Sequence, residues 1–101
     1  MRRKLAAANW KMNMTPIEAK ALCEKLIPLV KSDDTDVLFC VPFIDIPVVR
    51  DSIKGTNIML GAENFYHEDK GAYTGEISLD MLKCYDVTHV IIGHSERRQI
   101  F

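Results

Sequence analysis

Four short and mostly apolar segments recur along the chain, and longer segments with helical periodicity separate them. The four segments are Leu5–Ala8, Val37–Val41, Ile58–Ala62 and His89–Ile92. Their apolar or small residues run almost continuously instead of alternating with polar ones, which is typical of parallel strands buried on both faces. We therefore predict an α/β fold made of parallel β/α units with right-handed crossovers.

The first helix has the clearest start signal in the chain. Thr15 suits the N-cap, Pro16 suits the first helical position, and Glu18 completes a capping box. One apolar face is predicted to follow over four turns, consisting of Ile17, Ala21, Leu22, Leu26, Leu29 and Val30.

The second and third helices are shorter. Asp45 is expected to cap the second helix, which ends at Gly55, and Ser78 is expected to begin the third. Four such units fit an open doubly wound sheet as well as part of a closed barrel. The first strand is not followed by a GxGxxG loop, which counts against a dinucleotide-binding fold.

Composition narrows the class of protein. The 101 residues are 48% hydrophobic and 27% charged, with a net charge of -1, an ordinary globular composition that gives no electrostatic reason to expect nucleic acid or an anionic membrane as partner. No apolar run is long enough to span a bilayer. Three cysteines without metal-like spacing favour reduced thiols and a cytoplasmic location, and we expect no metal and no organic cofactor.

Polar residues come directly after the first and fourth strands. The carboxyl ends of the strands are where parallel sheets have their functional sites. Lys11 lies two residues after Asn9, and His94 comes before Ser95 and Glu96, which suit an N-cap and a first helical turn. A histidine facing a helix N-terminus stays neutral and donates a hydrogen bond. Each residue also has a plain structural alternative: a histidine bonded to a loop carbonyl, a solvated lysine, or an asparagine that closes a turn.

Three segments resemble the triosephosphate isomerase family. Val90–Arg98 is similar to the family's fourth strand and loop, Asn9–Asn13 to the end of its first strand, and Gly71–Glu76 to its long third loop. The resemblance implies a TIM (β/α)8 barrel, of which residues 1–101 would supply roughly the first half, β1 to β4, as the N-terminal part of a single domain.

The resemblance also implies a reaction, the interconversion of dihydroxyacetone phosphate and glyceraldehyde 3-phosphate through an enediolate, in glycolysis and gluconeogenesis. His94 and Lys11 match the catalytic residues, as the electrophile at the carbonyl oxygen and the positive charge near the phosphate. The histidine's neutral state in this enzyme is an established example of pKa tuning. Asn9 and Lys11 match the substrate-binding residues, and Ser95 and Glu96 are expected to support them.

The resemblance further implies a homodimer, in which four residues would contact the neighbouring subunit: Thr74, Gly75, Glu76 and Arg97. The alternative is a flexible surface loop. The family's base glutamate, mobile lid and phosphate loops belong to later strands, so we expect the 101-residue chain alone to be inactive and not to persist as a monomer. The competing hypotheses are a non-catalytic half-barrel scaffold or assembly module, and another phosphate-handling barrel enzyme.

Overall fold

A single sheet of four parallel strands, in the order β1-β2-β3-β4, forms the framework of the computed structural model, which describes residues 4–30 and 35–92. The strands are β1 (Lys4–Asn9), β2 (Thr35–Val41), β3 (Met59–Ala62) and β4 (Val87–Val90). The helices are α1 (Pro16–Leu26), α2 (Ile46–Ser52) and α3 (Leu79–Lys83), with 3-10 turns at Ile27–Leu29 and Phe43–Asp45. The predicted alternation of strands and helices is confirmed.

The strand order decides between the two architectures that the sequence pattern leaves open. A doubly wound sheet reverses its strand order at a switch point, whereas each described strand here pairs with the next strand along the chain. Right-handed crossovers then place the connecting helices on the same face of the sheet. This arrangement is consistent with the first half of a (β/α)8 barrel.

The start of α1 is confirmed, but its predicted buried face is partly wrong. Thr15 Oγ1 accepts a hydrogen bond from Glu18 N at 3.3 Å, and Glu18 Oε1 accepts one from Thr15 N at 3.0 Å. Ile17, however, is 85% exposed, and the fully buried positions are Ala19 and Cys23. Their small side chains, four residues apart on one face, allow α1 to pack closely against α2.

The predicted starts of α2 and α3 hold in position, with one difference in chemistry. Asp45 precedes α2, but its side chain makes no capping hydrogen bond and is completely buried. Burial, with a further contribution from the charge of Glu18, raises the pKa of the Asp45 carboxyl. Ser78 caps α3 as predicted, because its Oγ accepts a hydrogen bond from Met81 N at 3.3 Å. Gly55 follows α2 with φ at +80°.

The main core lies where the helices meet β2 and β3. Its largest fully buried side chains are those of Phe39, Leu60, Val41 and Val49. The predicted burial of β1 on both faces is not found in the sheet formed by the described residues: there β1 is an edge strand, its residues 4–8 are exposed, and Leu5 keeps 54% of its accessible surface.

The other edge strand also differs from its prediction. β4 begins at Val87 and ends at Val90, two residues earlier at each end than expected. Ile91 N still donates to Ala62 O at 3.0 Å, but Ile92 is 76% exposed. Apolar patterning cannot distinguish an edge strand from a central one when both are rich in β-branched residues.

Gly61 lies where the backbone of β3 comes close to two side chains of β2. It pairs with Cys40, and a Cβ atom placed on Gly61 would lie 2.8 Å from Cys40 Sγ and 3.3 Å from Leu38 Cδ1. A larger residue at this position would therefore displace both neighbours. The missing side chain at Gly61 thus leaves the space that the side chains of Cys40 and Leu38 occupy.

Candidate active site at the strand ends

The turn that follows β1 carries two of the predicted site residues. Asn9 is the last residue of β1, and its Oδ1 accepts a hydrogen bond from Lys11 N at 2.9 Å. Asn9 therefore does help to close the turn, as the structural alternative predicts. Lys11 adopts a positive φ of 56°, which side-chain-bearing residues rarely adopt and which often occurs at functional sites. The backbone thus fixes the start of an exposed lysine side chain at the edge of the sheet.

Trp10 anchors this turn to the core. Its N–H donates to Cys40 O at 2.9 Å, and its ring lies 5.8 Å from the Phe39 ring between centroids. Trp10 is only 8% exposed, although its neighbour Lys11 faces solvent. Asn13 Nδ2 closes the turn with a 2.8 Å hydrogen bond to Trp10 O. The polar residues of the turn are therefore held against the core by Trp10.

The edge that carries Asn9 also receives a carboxylate. Glu63 follows β3 directly, and parallel strands end at the same edge of a sheet. Burial raises the pKa of the Cys40 thiol, and the charge of Glu63 adds to this effect. This edge of the sheet thus has an amide from the end of β1 and a carboxylate from the residue after β3.

His94, Ser95, Glu96 and Arg97 lie outside the described residues. Their predicted roles, and the distance between His94 and Lys11, stay predictions. The described residues show only at which edge of the sheet the chain leaves β4. β4 runs parallel to β1, so the chain leaves β4 at the edge where Asn9 and Lys11 lie.

The long loop between β3 and α3 is ordered, with contacts that sequence analysis missed. Thr74 and Gly75 are exposed, Glu76 is partly buried, and Glu76 N donates to Tyr73 O at 3.0 Å. Tyr66 pairs with the start of α3 and stacks against Tyr73 at 4.4 Å between ring centroids. No pattern in the sequence indicates this contact, because it depends on how the loop folds back on itself.

Among residues 4–30 and 35–92, no three His, Cys, Asp or Glu residues come together in a group that could hold a metal ion. Over the same ranges, none of the helices combines the length and the apolar character needed to cross a membrane.

Sequential parallel β/α units, with polar residues just beyond the strand ends, are consistent with the first half of a (β/α)8 barrel, a class of protein in which sites lie beyond the carboxyl ends of the strands. The sequence matches the profile of the triosephosphate isomerase family over residues 4–101, and the chain belongs to that family.

Several curated relatives are named triosephosphate isomerase. The chain is 59% identical to the protein from Caldanaerobacter subterraneus subsp. tengcongensis, 56% identical to that from Thermoanaerobacter pseudethanolicus and 50% identical to that from Clostridium tetani. In each case the match covers 100% of this chain, and it covers 41%, 41% and 40% of the three relatives. The chain therefore spans about two fifths of the length of these relatives.

Proposed function

We propose that residues 1–101 form the N-terminal part of a single TIM-barrel domain that interconverts dihydroxyacetone phosphate and glyceraldehyde 3-phosphate. Family membership supports the reaction. The observation that carries the proposal is the Asn9–Lys11 turn, in which a hydrogen bond and a left-handed backbone hold a cationic residue at the strand edge. Such a preplaced charge stabilises an oxyanion at little reorganisation cost.

In this proposal Lys11 lies against the substrate phosphate and the oxygen that becomes negative in the enediolate. Asn9 contributes an amide that binds the same oxygens without adding charge. His94 donates a hydrogen bond to the carbonyl oxygen as a neutral imidazole, and Ser95 and Glu96 support it. The base that removes the proton comes from a later part of the barrel, so the 101-residue chain alone does not turn substrate over.

The complete enzyme is proposed to be a cytoplasmic homodimer. The third loop supplies Thr74, Gly75 and Glu76 to the contact, together with Arg97. Exposure of the first two residues and the ordered backbone around them support this role. Three cysteines without a disulfide support a reducing compartment.

Complementation tests the proposed function. The 101-residue chain is mixed with a separately expressed polypeptide that contains the remainder of the Caldanaerobacter relative, and isomerisation is followed in a coupled assay. Neither part alone should turn over substrate, and the complex should. Lys11→Met should lower the turnover of the complex by about 100-fold or more.

Lys20→Met is the matched control, because Lys20 is an exposed lysine on α1. It should leave turnover unchanged. A complex of verified mass that does not isomerise triose phosphates would favour the half-barrel scaffold. Normal turnover by the Lys11→Met complex would refute the assigned role of the lysine.

A further inference from the structure

Three aromatic side chains are in contact within the exposed loop between β3 and α3. Tyr66 lies at the centre, with its ring centroid 4.4 Å from that of His67 and 4.4 Å from that of Tyr73. The planes are tilted by 33° and 37°. Aromatic pairs at this separation attract each other beyond the area they bury. We refer to these three residues as the aromatic stack, or simply the stack.

The central ring of the stack is fixed to the body of the protein through the backbone. Tyr66 N donates to Ile77 O at 2.7 Å, and Tyr66 forms an isolated parallel bridge with Ser78. Ser78 is buried and caps α3. The backbone from which the Tyr66 ring extends is therefore held beside the start of α3.

The outer ring of the stack belongs to the far arm of the loop. Tyr73 O accepts a hydrogen bond from Glu76 N at 3.0 Å, which closes the turn through Thr74 and Gly75. Contact between Tyr66 and Tyr73 thus joins the anchored arm of the loop to the arm that carries its tip.

Gly71 permits this contact. Its φ is +139°, and a Cβ atom built on it would lie 2.8 Å from Tyr73 Cε2. Gly75 also has a positive φ, of +88°, but a Cβ atom there would meet nothing within 4 Å. The backbone at Gly71 passes directly beside the Tyr73 ring, so a side chain at this position would have to push the ring away.

The core does not hold the tip of this loop, because residues 67–75 are all exposed. Ordering an exposed segment costs conformational entropy that contacts within the segment must offset. The stack is one side-chain contact that joins the two arms of the described loop.

We propose that Tyr66 is a positioning residue that holds the loop tip, Thr74 to Glu76, in shape within a single chain before any partner is bound. A second copy of this chain would then dock onto a preformed surface and lose less entropy on association. This last consequence rests on the proposed dimer contact, whereas the order of the loop does not.

Tyr66→Leu and Tyr66→Phe form the test pair, because leucine removes the stacking ring and phenylalanine retains it. Hydrogen exchange of the Glu76 amide is measured in the complex of the 101-residue chain with the separately expressed remainder of the barrel, at a concentration low enough that two such complexes do not associate. Tyr66→Leu should speed this exchange by about 3- to 10-fold, the range expected for losing one or two aromatic contacts. Tyr66→Phe should change it less than twofold.

Trypsin cleavage after Lys70 gives an independent readout. Lys70 is an exposed residue inside the loop, and Lys54 is an exposed reference site outside it. The ratio of the two cleavage rates should rise in Tyr66→Leu and stay near the wild-type value in Tyr66→Phe. Should Tyr66→Leu fail to fold, the exposed Tyr73→Leu removes the same contact from the other arm and should give the same increase.

Gly71→Ala and Gly75→Ala separate ring displacement from backbone strain. Both alanines adopt a positive φ, but only the one at position 71 meets the Tyr73 ring, so it alone should shift the Tyr73 ring resonances. Unchanged exchange and cleavage in Tyr66→Leu would overturn the proposal. A disordered loop with unaltered assembly of the complete enzyme would leave the positioning role intact and refute the proposed dimer contact.

Discussion

Arg50 Nε lies 3.0 Å from Asp86 Oδ2, and this ion pair joins α2 to the residue immediately before β4. The same guanidinium lies 5.5 Å from the centroid of the Tyr85 ring. Asp86 itself has a φ of 62°, which is unfavourable for most residues that carry a side chain. Arg50 thus holds a strained turn against the helix layer through two contacts.

Arg50→Ala should lower the free energy of unfolding by about 1 kcal/mol, since a partly exposed ion pair and a cation–π contact each contribute at most about that much. Urea denaturation measures the change. Arg50→Lys should recover only part of it, because lysine lacks the Nε–H donor. Lys54→Ala breaks the exposed 3.9 Å contact with Asp51 and should cost less than about 0.5 kcal/mol. Equal losses in Arg50→Ala and Lys54→Ala would contradict the proposed bracing of the turn.

Gly61→Ala should destabilise the chain by about 1–3 kcal/mol, because the new methyl group would overlap Cys40 Sγ. Adding Cys40→Ala should recover part of that loss, and a double-mutant cycle in urea measures the coupling. Gly55→Ala is the control: it also introduces a methyl group, but into open space at a strained φ of +80°. Its cost should not respond to Cys40→Ala.

The capping box of α1 should respond to pH in a defined direction. Hydrogen bonds from the backbone and side chain of Thr15 lower the pKa of Glu18, so the folded state binds a proton less readily than the unfolded state. The contribution is therefore present above the pKa of the unfolded state and is lost as the pH falls through the folded pKa. Carbon NMR titration of the Glu18 carboxyl should show the lowered value. Thr15→Ala should destabilise the helix by about 0.5–2 kcal/mol, and Thr15→Ser should largely preserve it.

The three thiols should react in two classes. Cys84 is exposed, whereas Cys23 and Cys40 are buried. Burial raises the pKa of Cys23 to about 11 from 9.0. An aromatic disulfide reagent should therefore modify one thiol quickly, and the other two only as the chain unfolds. Rapid reaction of two or more thiols in the native chain would contradict this arrangement.

The same pKa predicts a loss of stability in alkali. The folded state retains the Cys23 proton more strongly, so stability falls as the pH rises above the unfolded pKa near 9.0. Cys23→Ala should flatten this fall, although it lowers stability at neutral pH by leaving a small cavity.

Replacing Lys11 separates backbone strain from side-chain chemistry. Lys11→Gly should be more stable than Lys11→Ala by about 1 kcal/mol, because only glycine adopts a φ of 56° without a steric penalty. Both variants lack the ammonium group, so both complemented complexes should lose turnover to the same extent as Lys11→Met, by about 100-fold or more. Equal stabilities would indicate that the turn relaxes when the side chain is removed.

Features that depend on neighbouring residues could be predicted from the sequence, and features that depend on distant ones could not. The capping box needs only Thr15, Pro16 and Glu18, and it forms as predicted. The orientation of α1 was predicted wrongly at Ile17, because the buried face depends on which side of the helix meets α2. The exposure of β1 follows from its edge position, which no property of Leu5–Ala8 reveals.

The candidate site divides in the same way. The polar turn after β1 could be located from the sequence, since parallel strands carry their sites at their carboxyl ends. The left-handed backbone of Lys11 is a property of the turn geometry and leaves no mark in residue type, because glycine would be the usual choice. The contact between Tyr66 and Tyr73 depends on how the loop folds back on itself, and neither strand nor helix periodicity describes such a path.

The uninterrupted order of the strands has a consequence for how the chain can fold while the ribosome is still synthesising it. Each strand of the sheet pairs with the one synthesised just before it, so no described strand waits for a distant segment before it finds a partner. A chain that leaves the exit tunnel from its N-terminus can extend the sheet one unit at a time, and domains generally assemble in this direction during synthesis. Translation and folding can therefore proceed in the same order, with β1 as the template from which the sheet grows.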